Sequence, residues 1–360
     1  MTDHIRLFIP GPVEVREEIL HAQTAWMIGH RSGEFAELYA RLQPRLKQSF
    51  AIESGRAYIY TSSATGIWES ASRCCVRGDK PVLHLVSGAF SERWADTSEL
   101  NGKIVHRIEA PWGEAIKPEA LAEALSLAQY DAVACVYNET STGVLQPVKE
   151  YAEIVNQYPD TLFLVDAVSA WLGVEMQAEA WGVDVCLASS QKAFALPPGI
   201  AFASISDRTL ARAEQVKNRG YYFDMIEMEK SHQKNNTPST PPISLMYAAD
   251  KQLDDILAEG LGNRFARHQK MAQMTRDWAA RNGFEMFSEE GYHSPTLSTV
   301  RNTRGISISD MNKFLRKRGM VISNGYGKLK DQTLRIAHMG DCQPEHLDAL
   351  FAAMDEFLAQ

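Results

Sequence analysis

The sequence is poor in cysteine and contains no long apolar run. Only five of its 360 residues are cysteine, and no two of them have the CxxC spacing typical of redox or zinc sites. Because the count is odd and most of these residues lie in apolar segments, we expect buried free thiols in a reducing cytoplasm. No metal site is predicted. No run approaches the roughly 20 apolar residues that cross a bilayer, and the N-terminus lacks the layout of a signal peptide.

Positive charge is also scarce. Lys and Arg number 37 against 45 Asp and Glu, which gives a net charge of −8. A mildly acidic surface argues against nucleic acid or an anionic membrane as the main partner. The chain is 45% hydrophobic and 23% charged, the balance of a soluble globular protein. Its length predicts two domains, or one large domain and one small.

Apolar runs alternate with helical patterns between about residues 55 and 260. The strand-like runs are Tyr58–Tyr60, Val82–Val86, Ile104–Ile108, Ala132–Tyr137, Leu162–Asp166, Val183–Ala188 and Ile200–Ile205. Helical patterns begin at Ala64, surround Trp94, and cover Pro118–Leu127 and Pro147–Tyr158. This alternation predicts an α/β fold with a mostly parallel sheet that is covered by helices on both faces. Ligands of such folds bind at the loops that follow the strands.

The pattern changes after residue 260. A polar helix, two strand-like runs and two further helices follow: Asn263–Arg281, Thr296–Val300, Ile308–Arg318, Leu334–Ala337 and the segment that Pro344 opens. They predict a smaller α+β domain. We therefore predict an N-terminal arm over 1–20, a large domain over 21–260 and a small domain over 261–360. The turn-rich stretch 235–242 predicts a loop that lines a site or a subunit contact.

Two charged residues follow apolar strands. Asp166 ends one strand-like run, and Lys192 lies just beyond another. An Asp in this place commonly caps the next turn or helix, but a buried carboxylate also seeks a cation or donor. Because parallel strands end along one edge of a sheet, about 5 Å apart or a small multiple of that, we expect both side chains to face one crevice. A Lys and an Asp on one ligand suit pyridoxal phosphate, since the lysine forms a Schiff base and the Asp keeps the pyridine nitrogen protonated.

A turn of small and hydroxyl-bearing residues separates the strand-like run Tyr58–Tyr60 from the helical pattern that begins at Ala64. Ser63, Ala64 and Thr65 would present backbone amides and a hydroxyl to a phosphate at the helix N-terminus. The same turn is equally consistent with an ordinary N-cap. It is not a P-loop, because the Gly-Lys-Ser/Thr ending is missing.

Seven motifs occur in order along the chain: Pro10-Gly-Pro12, Gly29-His-Arg-Ser32, Ser63-Ala-Thr65, Glu139-Thr-Ser-Thr-Gly143, Val165-Asp-Ala-Val-Ser169, Ser190-Gln-Lys192 and Leu334-Arg-Ile336. Together they resemble the class V aminotransferases, and most of all the alanine–glyoxylate and serine–glyoxylate (serine–pyruvate) branch. The resemblance runs from about residue 5 to the C-terminus. It implies a pyridoxal-phosphate-dependent transferase of fold type I and a homodimer whose active site is shared between subunits.

The resemblance also implies roles for single residues. Lys192 would hold pyridoxal 5'-phosphate and move the proton, and Asp166 would pair with the pyridinium nitrogen. Arg335 would grip the substrate carboxylate with its bidentate fork. The other implied cofactor contacts are Ser63, Ala64 and Thr65 around the phosphate, Gln191 near it, Thr140 at the cofactor's O3', Phe90 stacked on the ring, and Thr240 on the phosphate of the neighbouring subunit.

Two positions depart from the family pattern. Several members have Trp where this chain has Phe90, which can still stack on a ring. Some members have Tyr where this chain has Thr237, three residues before Thr240, so the contact across the dimer is in question. His30 and Arg31 have two readings: they stabilise the arm or the dimer contact, or they form a cationic patch for a second anionic group of the substrate, to which His338 or Lys328 would add.

The function predicted from these residues is transamination from alanine or serine to glyoxylate or pyruvate. The runner-up is a phosphoserine aminotransferase that uses 2-oxoglutarate. A third reading is a pyridoxal-phosphate lyase such as a cysteine desulfurase, for which Cys342 is the sole candidate nucleophile. A non-catalytic cofactor-binding role explains the joint presence of Lys192, Asp166 and Arg335 less well.

Overall fold

The computed structural model describes residues 4–360. Its strands are β1 (Arg6–Phe8), β2 (Arg56–Tyr60), β3 (Val82–Val86), β4 (Val105–Glu109), β5 (Ala132–Val136), β6 (Asn138–Glu139), β7 (Val144–Leu145), β8 (Leu162–Asp166), β9 (Val185–Ser189), β10 (Ala201–Ile205), β11 (Glu285–Met286), β12 (Leu297–Arg301), β13 (Met320–Asn324) and β14 (Thr333–Ala337). Its helices are α1 (Glu17–Ala22), α2 (Gly33–Phe50), α3 (Ala64–Cys75), α4 (Ala89–Leu100), α5 (Pro118–Leu127), α6 (Val148–Val155), α7 (Asp207–Gln215), α8 (Met225–His232), α9 (Ile243–Glu259), α10 (Leu261–Arg281), α11 (Ile308–Arg316) and α12 (Pro344–Leu358). None of these helices is long and apolar enough to cross a membrane.

A seven-stranded sheet forms the centre of the larger part of the chain, in the order β2-β10-β9-β8-β5-β3-β4. The five strands from β9 to β4 are parallel, whereas β10 runs antiparallel to both β9 and β2. Every residue of β3, β5, β8, β9 and β10 is buried, as a parallel sheet covered on both faces requires. The predicted α/β fold with a mostly parallel sheet is confirmed.

Alternate residues of one strand enter opposite cores of this sheet. Phe163 and Val165 of β8 pack in the core that holds α2, α5, α6 and α9. Leu162 and Leu164 pack in the core that holds α3 and α4. The period of two along the strand therefore explains why the apolar runs are continuous rather than alternating.

A second sheet has the order β1-β13-β14-β12-β11. Its strand β1 comes from the N-terminus and pairs in parallel with β13, so the arm joins the C-terminal sheet. The last helix, α12, packs in the core of this part, because its Leu347, Leu350, Phe351 and Met354 are buried there. The proposed bounds of arm and domains stay a prediction; the strands of the second sheet, β1 excepted, follow residue 260.

One buried arginine fastens α10 to the turn after β9. Arg264 is 1% exposed, and its guanidinium donates to the carbonyls of Leu172 at 3.1 Å and Ala193 at 2.6 Å. It also pairs with Glu259 at 2.7 Å and Asp341 at 3.3 Å. A buried cation is tolerable only when it is paired and hydrogen-bonded in this way. The contact holds the residue directly after Lys192 against both sheets.

We expect Arg264→Met to lower the free energy of unfolding by about 3–5 kcal/mol, because removing one member of a buried pair leaves the others uncompensated. Urea unfolding followed by circular dichroism measures the change. Arg316→Met, at an exposed position on α11, is the control and should shift stability by less than about 0.5 kcal/mol. Equal stability of the two variants would contradict the role given to Arg264.

Candidate active site

A cavity lies at the carboxyl ends of β5, β8 and β9, beside the N-termini of α3 and α4. Its wall consists of Ser63, Ala64, Thr65, Trp68, Phe90, Arg93, Val136, Asn138, Thr140, Asp166, Val168, Ser169, Ser189, Gln191 and Lys192. Eight of the residues predicted from the sequence are in this wall: Ser63, Ala64, Thr65, Phe90, Thr140, Asp166, Gln191 and Lys192. The structure thus brings the predicted acid and the predicted amine into one crevice.

Asp166, the last residue of β8, is buried. Its Oδ2 accepts a hydrogen bond from the indole of Trp68 at 2.7 Å, and its Oδ1 accepts from the amide of Val168 at 2.8 Å. Trp68 is held by stacking on Trp94, with ring centroids 6.0 Å apart. Burial raises the pKa of Asp166 to about 7, and the nearby charge of Glu139 acts in the same direction. The carboxyl therefore has room to accept a cationic donor from inside the cavity.

Lys192 lies in the turn that joins β9 to β10. Its Nζ donates to the carbonyl of Pro10. Burial lowers the pKa of this amine to about 8; the charge of Arg335 adds to that effect, and the charge of Asp166 opposes it. A substantial share of the amine is consequently neutral at mildly alkaline pH, as a nucleophile or proton carrier requires.

Gly11 packs directly on the side chain of Lys192. A Cβ built on Gly11 would lie 2.8 Å from the lysine Nζ and 2.9 Å from its Cε, and the residue has a φ of +110°. No other residue fits both the conformation and the space. The Pro-Gly-Pro motif near the N-terminus therefore packs on the side chain of Lys192.

The N-terminus of α3 faces the cavity with free donors. Ser63 is the N-cap residue, and its side chain makes no capping hydrogen bond. The hydroxyls of Ser62 and Ser189 are buried without a hydrogen-bond partner within residues 4–360, and Ser189 lines the cavity. Unpaired amides and hydroxyls at a helix N-terminus suit a phosphate group, so this end of the cavity fits the phosphate of pyridoxal phosphate.

Glu139 fixes the start of α4. Its buried carboxylate accepts from the amides of Phe90 at 3.3 Å and Ser91 at 3.0 Å, and from the hydroxyl of Ser141 at 2.6 Å. Gly88 leaves the room for this contact, since a Cβ there would lie 2.5 Å from the Glu139 Cγ. The carboxylate at the helix N-terminus holds the first turn of α4 beside the cavity.

Arg335 is not in the cavity wall, but it contacts Thr140, which is. It is 8% exposed, its Nη1 donates to the carbonyl of Thr140 at 3.3 Å, and its Nε donates to the carbonyl of Asn324 at 3.0 Å. The hydroxyl of Thr140 shares a hydrogen bond of 2.6 Å with Ser169. Burial lowers the pKa of Arg335 to about 10, so the guanidinium remains charged at neutral pH.

Besides Arg335, three predicted site residues lie outside the cavity wall of the single chain. Arg31 donates to Asn236 at 2.7 Å and to the carbonyl of Thr237 at 2.8 Å. Thr240 is exposed and lies 3.5 Å from the Nε2 of His30. His30 and Arg31 therefore fasten the loop 235–242, and the structure does not bring them or Thr240 to Lys192 within one chain.

The structure corrects two further candidates. His338 is fully buried beside Ser298, and burial lowers its pKa to about 3, so it is neutral and supplies no cation for a substrate phosphate. Burial raises the pKa of Cys342 to about 12, and the residue lines a different cavity, next to Arg6 and Arg267. Lys328 lies over the ring of Trp112, with its Nζ 4.1 Å from the ring centroid.

Sequence reasoning missed several residues of the cavity wall, namely Trp68, Arg93, Val136, Asn138, Val168, Ser169 and Ser189. Val136 and Ser189 end strands of the sheet, and Trp68 and Arg93 lie in the first two turns of helices that follow strands. The sequence feature that could have identified them is their position close to the predicted strand ends. Residue type alone marks none of them as functional.

Comparison with known proteins agrees with this geometry. The model of the family "Aminotransferase class-V" matches residues 15–332. An uncharacterised aminotransferase of Methanocaldococcus jannaschii is 35% identical over 97% of this chain and 91% of its own. The serine–glyoxylate aminotransferase of Methylorubrum extorquens is 32% identical over 93% of this chain and 86% of its own.

A solved structure is also similar over the whole chain. It is the alanine–glyoxylate aminotransferase of a Nostoc species, with a TM-score of 0.94 and 28% identity over 100% of this chain and 96% of that one. The predicted transferase fold is thereby confirmed. The cofactor of this enzyme is pyridoxal phosphate, and the chain belongs to the class V aminotransferase family.

Proposed function

We propose that the enzyme moves an amino group from alanine or serine to glyoxylate or pyruvate. The observation that carries this proposal is the common cavity of Lys192 and Asp166 beside the N-terminus of α3. The relatives named for serine–glyoxylate and alanine–glyoxylate transfer support the choice of substrates. The cavity wall contains no carboxylate other than Asp166 among the residues described, which suits substrates that are themselves carboxylates.

The residues of the cavity fit pyridoxal phosphate. When bound, the cofactor supplies an aldehyde that takes up the amino group and a ring that accepts electrons. In our proposal Ser63, Ala64 and Thr65 hold its phosphate, with Gln191 nearby. Asp166 would hold the ring nitrogen in its protonated form, because it lines the cavity and its carboxylate accepts only two hydrogen bonds from the described chain. Phe90 lies against the ring and the hydroxyl of Thr140 approaches its oxygen.

Lys192 carries the chemistry of the protein in this proposal. Its Nζ would hold the cofactor at the aldehyde. The same Nζ would accept the proton that leaves the substrate Cα and would donate it back. The lowered pKa, about 8, keeps both forms of the amine accessible near neutral pH. The carbonyl of Pro10 is the acceptor that holds the amine in place.

Arg335 binds the substrate α-carboxylate in this proposal. Its Nε and Nη1 are tied to backbone carbonyls, which fixes the plane of the guanidinium. Its Nη2 has no hydrogen-bond partner elsewhere in the described chain. The Nη2 donors are therefore available to a carboxylate.

The alternatives have weaker support. A phosphoserine donor needs several cations around its phosphate, but His338 is neutral and His30 and Arg31 lie outside the cavity of the single chain. They would take part only from a second subunit. A cysteine desulfurase needs a thiolate, and burial raises the pKa of Cys342 to about 12.

We also propose that the enzyme is a homodimer with a shared active site. Trp26 is 94% exposed and Met27 is 66% exposed, and both are close in sequence to His30 and Arg31. Large apolar side chains so exposed indicate an interaction surface. In a symmetric dimer this surface would bring Thr240 of one subunit to the phosphate in the other.

Lys192→Ala should reduce turnover of alanine and glyoxylate by at least about 10²–10⁴-fold, because the proton carrier is removed. Turnover is measured in parallel with the amount of pyridoxal phosphate retained after gel filtration. Lys149→Ala, an exposed position on α6, is the control and should keep wild-type rates. Normal transamination by the Lys192 variant would refute the assignment.

Arg335→Ala should raise the KM for alanine and for serine alike, since both present the same α-carboxylate. The loss of a buried charged hydrogen bond costs roughly 2–5 kcal/mol. Arg335→Lys retains the charge without the bidentate geometry, so its KM should lie between those of the wild type and Arg335→Ala. Steady-state kinetics with both donors tests this, and an effect confined to one donor would remove Arg335 from the common carboxylate site.

Trp26→Glu with Met27→Glu should convert the dimer to monomers, because a charge replaces the apolar surface. Sedimentation velocity measures the species present. Leu100→Glu, at a position that is 88% exposed elsewhere on the surface, should leave the dimer intact. A double variant that still sediments as a dimer would place the subunit contact on another face.

A further inference from the structure

Arg93 is a positively charged residue of the cavity wall, and the proposed function gives it no role. It lies on α4, one turn after Phe90. Among the residues that the structure describes in this wall, Arg93 and Lys192 are the only basic ones. Since Lys192 is occupied by the cofactor chemistry, Arg93 is the cation left in the wall for a ligand.

The guanidinium of Arg93 is held in place without a carboxylate. Its Nη2 donates to the hydroxyl of Tyr326 at 2.6 Å, and its Cζ lies 5.4 Å from the centroid of the Phe90 ring. Within residues 4–360 no Asp or Glu forms an ion pair with it, whereas Arg77, Arg212 and many other arginines are paired. An exposed guanidinium that lines a cavity and has no acidic partner is available to an anion.

Tyr326 connects this arginine to Arg335. The Tyr326 ring centroid lies 5.3 Å from that of Phe90 and 5.4 Å from the Cζ of Arg335. The hydroxyl of the same ring accepts from Arg93. Two guanidinium groups therefore contact one tyrosine, Arg335 at the ring and Arg93 at the hydroxyl. The shared contact with Tyr326 places two cations on one side chain, where a ligand with two anionic groups could meet both.

We propose that Arg93 binds the distal carboxylate of a dicarboxylic amino donor while Arg335 holds its α-carboxylate. The inference rests on the proposed role of Arg335 and widens the donor class from alanine and serine to amino acids such as aspartate. A carboxylate is favoured over a phosphate because the wall offers one free guanidinium, which matches a carboxylate in a bidentate pair. Tyr326 would yield its hydrogen bond when the carboxylate enters.

The alternative is that Arg93 only positions Phe90 and Tyr326. A positioning residue would affect every donor alike, because all of them use the same ring and the same α-carboxylate. A specificity residue would affect donors according to the charge at their distal end. The ratio of two donors therefore separates the roles.

The first test compares kcat/KM for aspartate and for alanine, with glyoxylate as acceptor, in the wild-type holoenzyme and in Arg93→Gln. We expect the aspartate-to-alanine ratio to fall about 10–150-fold, the loss expected for a hydrogen bond to a charged group. Arg93→Lys should retain part of the ratio. Arg316→Gln, on the exposed face of α11, should leave it unchanged. An equal fall for both donors, or a wild-type enzyme that does not use aspartate, would overturn the proposal.

The second test measures binding without turnover. Calorimetric titration of the holoenzyme with succinate and with propionate compares ligands that resemble aspartate and alanine without the amine. The wild type should bind succinate more tightly, and Arg93→Gln should lose that preference. Equal affinities in the wild type would overturn the proposal. Circular dichroism and cofactor content must match the wild type for each variant; if Arg93→Gln fails to fold, the neutral variant Arg93→Met takes its place in both tests.

The two proposals fail in different ways. If wild-type enzyme transaminates neither alanine nor serine, the proposed function is wrong, and the succinate titration still decides whether Arg93 binds a distal carboxylate. If alanine and serine are used but succinate shows no advantage, only the role of Arg93 is wrong.

Discussion

The site depends on holding an acid and an amine, Asp166 and Lys192, in one cavity on separate hydrogen-bond partners. Asp166 is bonded to Trp68 and Val168, and Lys192 is bonded to Pro10. Each bond comes from a different part of the chain, so each charge is stabilised by a separate element. Because burial penalises the charged form of each group, both pKa values are displaced toward neutrality. The cavity is thus prepared for a ligand that presents an acceptor to one and a donor to the other.

Local sequence was sufficient for the elements that surround this cavity. The observed bounds of β3, β8 and α5 are those predicted, because a buried parallel strand is a continuous apolar run and Pro118 opens α5 at its first turn. The order of strand ends then brought Asp166 and Lys192 together. That step uses only the rule that parallel strands end on one edge.

The remaining features of the fold and the site depend on contacts between residues distant in sequence, which no local pattern shows. β1 pairs with β13 more than 300 residues away, and Arg264 reaches the carbonyl of Ala193 from α10. The helices α2 and α9 were not predicted; α2 contains Pro44, and a proline inside a helix usually interrupts it. Gly11 was noticed only as part of a motif, since its closeness to Lys192 is a property of the folded chain.

The position of β1 has a consequence for the N-terminus. Residues 6–8 are fixed in the second sheet, and Pro10 follows two residues later, so the slack between the sheet and the lysine is only about 7 Å of chain. Any rotation of the second sheet away from the first would pull this tether and withdraw the acceptor from Lys192. Residues 6–12 thus link the second sheet to Lys192, so a change in the relative orientation of the two sheets would change the proton affinity of this amine.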